Sequence, residues 1–152
     1  MVTQLAWKGD GAPRMEIAHV ARNGRELRAA GTQLGPIYEL RYRLESDRLA
    51  LELVGRSSIE LTLGDADFFD LGFSPLFNSL PVIRDGLLEG AAARAYTMRW
   101  IEVPSLEVTD SEQRYEPLGG RRVRFTAGDF TADISFDEQG YVLHYPGIAT
   151  RL

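Results

Sequence analysis

Phe73-Ser74-Pro75-Leu76-Phe77-Asn78-Ser79-Leu80-Pro81 is the stretch on which the fold turns. It interrupts a chain that otherwise reads as a succession of short β-strands, and it is apolar where a connector is normally polar. Ser74 followed by Pro75 signals a helix start: a serine hydroxyl can accept from free amides of the first turn, and proline fits the first helical position without losing a needed donor. Pro81 biases the residue before it away from helix, so one or two turns are expected. A helix that short is not stable alone and must pack inside or against a sheet. It is therefore either a plug in a core or the wall of a ligand cavity.

On the N-terminal side, Met15 to Val20 reads as a strand, Asn23-Gly24 is a strong hairpin signal, and Leu27 to Gln33 returns beside it. After Gly35-Pro36, Ile37, Glu39, Arg41 and Arg43 alternate with Tyr38, Leu40, Tyr42 and Leu44. Leu49 to Val54 and Ile59 to Leu63 alternate again, with no room between them for a crossover helix, so pairing is expected to be antiparallel. On the C-terminal side, Ala91 to Val103 is long enough to cross a sheet, with Tyr96, Met98 and Trp100 on one face and Arg99 on the other. Leu106 to Val108, Gln113 to Tyr115 and Val123 to Phe125 are shorter strands bounded by Asp110-Ser111 and Gly119-Gly120. Phe130 to Phe136 and Tyr141 to Tyr145 form a last hairpin around Asp137-Glu138-Gln139-Gly140. About ten short strands at regular spacing predict a mainly β fold, one antiparallel sheet curled into a roll or barrel-like spiral around the short helix.

The chain has 152 residues, 44% of them apolar, which fits one domain spanning 1–152 with a sizeable core. No run approaches a membrane span, and the first residues lack a basic start followed by an apolar signal core, so a soluble cytoplasmic protein is expected. With no cysteine, disulfides, thiolate nucleophiles and thiolate metal sites are excluded together. The net charge of −5 concentrates in residues 61–90, where one Arg faces five Asp and Glu. Nucleic acid is not expected as a partner, since phosphate binding needs a net basic face.

Read in order, Ser74-Pro75-Leu76-Phe77-Asn78-Ser79-Leu80-Pro81, then Pro104-Ser105-Leu106-Glu107-Val108, Gln113-Arg114-Tyr115, and Phe136-Asp137-Glu138-Gln139-Gly140 leading to Tyr145-Pro146-Gly147, resemble the bacterial family called putative glycolipid-binding proteins. That family's pattern runs Thr-Pro-Phe-Thr-Asn-Thr-Leu-Pro-Ile-Arg-Arg, a Pro-x-Leu strand, Gln-x-Tyr, and an Asp-x-x-Gly turn before Tyr-Pro-Gly. The resemblance covers roughly residues 5–152, most strongly 65–147. It implies a long antiparallel sheet rolled around one helix, and a glycolipid or other amphipathic small molecule as ligand. The chain departs from the pattern in two places: Gly55 to Asp70 is shorter and lacks Trp, and the arginine pair is reduced to Ile83-Arg84-Asp85.

Asp65-Ala66-Asp67-Phe68-Phe69-Asp70 offers three carboxylates within six residues but fails as a calcium loop, because Phe69 and Leu76 stand where ligands are needed and Asp70 where a glycine is. A solvated or helix-facing role is expected for them, with one placed to face Arg84. His19 and His144 lie in separate strands outside any catalytic or metal motif, and there is no Gly-x-Ser-x-Gly. No metal, cofactor or catalytic residue is expected. Most aromatic residues belong to the core of a curled sheet. A ligand mouth would draw on Phe77, Asn78, Arg84, Trp100, Gln113 and Tyr115; the structural alternative has Asn78 supporting the helix and Gln113 satisfying a strand end. The function expected is non-catalytic binding of an amphipathic lipid in the apolar interior, with a polar mouth. Its rivals are a solid roll serving as an interaction module, and a hydrolase of a lipid or sugar conjugate working through Asp65, Asp67 and Asp70.

Overall fold

A computed structural model describes residues 2–152. Thirteen strands and one helix follow in chain order: β1 (Val2–Gly9), β2 (Met15–Asn23), β3 (Glu26–Leu34), β4 (Glu39–Glu45), β5 (Arg48–Leu53), β6 (Ser57–Thr62), β7 (Phe68–Leu71), α1 (Pro75–Arg84), β8 (Arg94–Ile101), β9 (Val108–Gly119), β10 (Arg122–Ala127), β11 (Phe130–Phe136), β12 (Val142–Tyr145) and β13 (Ala149–Arg151). All thirteen belong to one sheet in the order β6-β5-β4-β3-β2-β1-β13-β12-β11-β10-β9-β8-β7. The two terminal strands lie side by side in its middle, and each half of the chain extends outward from them as one arm.

The alternation in sequence becomes the inner and outer faces of this sheet. Leu40, Tyr42 and Leu44 of β4 and Leu49, Leu51 and Leu53 of β5 are buried while Arg41, Arg43 and Glu52 are exposed. Asn23 pairs with Glu26 across a two-residue turn in which Gly24 has φ 63°, a left-handed conformation that glycine adopts at little cost.

Nine of the ten residues of α1 are buried, from Pro75 to Ile83. Its side chains meet strands far apart in the sheet order. Phe77 packs edge-on to Tyr42 of β4 at 5.4 Å, the Asn78 amide donates to the Tyr115 hydroxyl of β9 at 3.1 Å, and the Ser79 hydroxyl accepts from the Val142 amide of β12 at 3.2 Å. Only a sheet rolled around the helix brings those strands to one axis. The roll is not closed by strand pairing; its two ends approach where the Arg99 guanidinium of β8 donates to the Thr62 carbonyl of β6 at 2.7 Å.

Four expectations change in detail. The helix runs through Pro81 to Arg84 instead of stopping before it, because Pro81, Val82 and Ile83 are buried and packing outweighs the hydrogen bond that proline cannot make. Ser74 precedes the helix but makes no side-chain cap, since its hydroxyl donates to Glu16 at 2.8 Å. Asp110-Ser111 does not break the chain: both pair across to Arg99 and Met98 within the single twelve-residue β9. β7 and β8 are parallel, the one exception to antiparallel pairing, because α1 and the turns after it provide the crossover that parallel neighbours need. No helix among the described residues is long and apolar enough to cross a membrane.

Candidate functional site

A cleft of about 530 Å³ opens at the N-terminal end of α1, where β7 gives way to the helix and β8, β10 and β11 reach their ends. The turn Leu71-Gly72-Phe73-Ser74, closed by the Ser74 amide donating to the Leu71 carbonyl at 3.1 Å, forms one lip. Gly72 lets the turn approach the neighbouring strand closely, since a Cβ there would lie a tight 3.1 Å from the Ile101 carbonyl. Phe73 has φ 62°, a region costly for a side-chain-bearing residue, and the residue is 42% exposed with the Arg14 guanidinium 3.7 Å from its ring centroid. Phe130, 44% exposed, forms the facing lip. Between them the wall is Trp100, Val103, Phe125, Tyr145 and Ile148. Phe125 belongs to an edge-to-face series, Phe68 to Tyr96 to Tyr115 to Phe125, with ring centroids 5.4 to 5.6 Å apart.

The floor is polar. Gln113 of β9, 4% exposed, donates its amide to an Asp70 carboxylate oxygen at 2.7 Å and to the Ser111 hydroxyl at 3.3 Å, and its own carbonyl oxygen is buried with no partner. Asp70 sits there because β7 alternates around Phe69 and Leu71 and pairs it with Trp100. Burial pushes its carboxyl from an ordinary 3.8 to about 6, against the lowering effect of the Gln113 bond. Ser74 and Asn78 complete the floor, both buried.

Of the six residues assigned to a ligand mouth, the cleft brings together Asn78, Trp100 and Gln113. Tyr115 stands one layer behind, fully buried, holding Asn78 through its hydroxyl, and Phe77 is 1% exposed in the core against Tyr42. Arg84 lies at the other end of the helix, on a second depression of about 580 Å³ lined by Leu27, Leu44, Leu63, Phe69 and Leu80. There it stacks over Phe68 at 4.0 Å and pairs with Asp85 at 3.2 Å, so none of the three upstream aspartates is its partner. Partial burial raises the Asp85 carboxyl, but bonds from Arg84 and Tyr96 outweigh it and hold the group below its usual value. The acidic stretch is dispersed: Asp65 is exposed, Asp67 accepts from the Thr97 amide at 2.8 Å, and Asp70 enters the cleft. No group of three or more His, Asp or Glu that could hold a metal is found among the described residues.

Sequence reading passed over a buried polar cluster behind the floor. Glu16, 2% exposed, accepts from the Tyr42 hydroxyl at 2.9 Å, the Ser74 hydroxyl at 2.8 Å and the Gln33 amide at 3.3 Å. Gln33 in turn donates to the Gly72 carbonyl at 3.1 Å and accepts from Tyr38. The signal was present: period two puts Glu16 on the same face as Ala18 and Val20, a carboxylate in an apolar register.

The family described as Putative glycolipid-binding matches residues 52–151, which include every residue of the cleft wall. A crystal structure of a DUF1089 family protein from Pseudomonas aeruginosa is similar in fold, with a TM-score of 0.63 at 22% sequence identity, over 100% of this chain and 91% of that one. No match was found among curated proteins. The structural likeness, at that identity, speaks for the fold alone. The family match covers most of the chain, from β5 to β13, and by it the chain belongs to the putative glycolipid-binding family.

Proposed function

We propose that the protein binds an amphipathic small molecule of glycolipid type in the cleft at the N-terminal end of α1, and performs no chemistry on it. The observation that carries this reading is the composition of the cleft: a concave, mainly aromatic wall of about 530 Å³, within the range of small-ligand sites, with a few buried polar groups converging on its floor. The description of the family supports the ligand class. Affinity would come from hydrocarbon transfer, at about 0.8 kcal/mol per buried methylene, and selectivity from Asp70, Gln113 and Asn78. Phe77 and Tyr115 then support the site from behind, and Arg84 is not part of it.

A hydrolase reading has one specific foothold, since Asp70, with its raised pKa, and Glu102 share the cleft, and a pair of carboxylates in unlike environments is what glycoside cleavage uses. One experiment addresses both. The purified protein, exposed to a total lipid extract and repurified, is extracted with organic solvent and the lipids are identified by mass spectrometry, beside an Ala127→Trp variant whose fold is checked by circular dichroism. Ala127 lines the cleft, so the added ring fills it. The expected result is an intact amphipath near one per chain, absent from the variant. An empty wild type overturns the binding reading in favour of a solid interaction module. Cleaved lipid that disappears in Asp70→Asn overturns its non-catalytic half.

A further inference from the structure

The cleft is the reverse of a site with an apolar interior and a polar mouth. Its buried polar side chains are at the bottom, with Gln113, Asn78 and Ser74 at 4%, 4% and 3% exposure, while the rim carries the exposed Glu102 and the two lip phenylalanines, Phe73 and Phe130, each more than two-fifths exposed. A ligand that put hydrocarbon on this floor would leave the Gln113 carbonyl buried without a donor, and an unmade bond of that kind is costly. The orientation of that oxygen is fixed. Asp70 takes the amide nitrogen at 2.7 Å, and turning the amide over would set its oxygen against the carboxylate.

The electrical character of the wall narrows the ligand further. Asp70 and Glu102 line it, and none of its residues is Lys, Arg or His. A phosphate, sulfate or carboxylate head group on the floor would meet carboxylates, since the one guanidinium beside the cleft, Arg14, is stacked on the Phe73 ring at the lip. A quaternary ammonium would suit the aromatic wall, but it has no hydrogen to give Gln113. A hydroxyl donates to Gln113 and accepts nothing it lacks.

Resting on the reading that the cleft holds an amphipath, we propose that the ligand enters head first: an uncharged, hydroxyl-bearing head group of the sugar or polyol kind seats on Gln113 and Asp70, and its hydrocarbon leaves across Phe73 and Phe130. Hydroxyls of such a head give the Gln113 carbonyl its missing donor and offer the Asp70 carboxylate a second one. The exposed lips then have an occupant, the first methylenes of the tail.

The test is calorimetric titration of the full chain with hexyl glucoside, methyl glucoside, hexyl phosphate and hexyltrimethylammonium, each below its micelle concentration. Hexyl glucoside is expected to bind at least tenfold more tightly than either charged hexyl compound. Gln113→Leu is expected to lower hexyl glucoside affinity about tenfold, the effect of leaving head-group hydroxyls unpaired. Phe130→Ser, its fold checked by circular dichroism, is expected to shrink the gain of hexyl over methyl glucoside severalfold. Equal binding of all three hexyl compounds, or a Phe130→Ser variant that weakens methyl and hexyl glucoside alike, overturns the head-first orientation while leaving the amphipath reading intact. No binding by any hexyl compound overturns both.

Discussion

Glu16 shows how two opposing effects are decided by depth. Three donors point at its carboxylate, and each favours the charged form, yet burial outweighs them and pushes its pKa from 4.5 to about 7. A carboxyl whose folded pKa is raised holds its proton in the native state at pH values where the unfolded chain has lost it. Its contribution is therefore complete below about pH 4.5 and disappears as pH climbs to about 7. The Glu16→Gln variant cannot ionise and lacks this slope. The free energy of unfolding of the variant, relative to wild type, is expected to rise with pH between 4.5 and 8, by up to about 3 kcal/mol. Urea denaturation at three pH values measures it, and a difference that stays constant would mean that Glu16 is ionised throughout. Asp70, raised to about 6 by the same cause, adds a slope of the same sign to both proteins.

At the scale of the element, α1 is unusual in being buried around almost its whole circumference, with Asn78 and Ser79 bonded to Tyr115 and Val142, which suits a helix enclosed by a sheet. Phe77, at its centre, is expected to behave as a core residue. Phe77→Ala should cost about 3–5 kcal/mol of stability, whereas Phe130→Ser at the exposed lip should shift it by less than about 1 kcal/mol, both read from urea midpoints at constant slope. A mild Phe77→Ala would mean that the roll does not depend on its plug. Strands such as β2, β4 and β5 were legible because each carries a clean period of two, whereas β9, with a less regular pattern, was cut at Asp110-Ser111. β7 was not legible, because Asp-Phe-Phe-Asp-Leu reads as the end of an acidic connector, and nothing local announces that its partner lies beyond the helix in parallel. β1 has the alternation, with Leu5 and Trp7 buried, but its place depends on β13, a three-residue strand at the far end of the chain. The candidate cleft was legible in part. Asn78, Trp100 and Gln113 carried polar and aromatic signals on adjoining segments, but Phe73 and Phe130 become lips only through the roll, and Arg84 was assigned to the wrong end of a helix that sequence made too short to have two.

For the molecule as a whole, the helix divides the interior into two ends. Ten helical residues span about 15 Å, with the cleft of Asp70 and Gln113 at the start and the depression of Arg84 at the finish. Leu76, Phe77 and Leu80 fill the space along the helix between them, at 0%, 1% and 8% exposure, and Tyr42 closes against Phe77 from the opposite arm. A hydrocarbon tail in the first cleft thus has no route to the second without displacing the plug. Affinity within a series of alkyl glucosides should therefore climb about fourfold per methylene, the equivalent of about 0.8 kcal/mol, only while new methylenes find wall at Trp100, Phe73 and Phe130. Beyond that length further methylenes stay in water and the affinity should be flat. The measurement is the dissociation constant from butyl to decyl glucoside at monomeric concentrations. A plateau places the tail at the lips of a blind cleft. A climb that continues to decyl would require the plug to move, and should then be accompanied by faster amide exchange in α1 and β12, the elements joined by Ser79 and Val142.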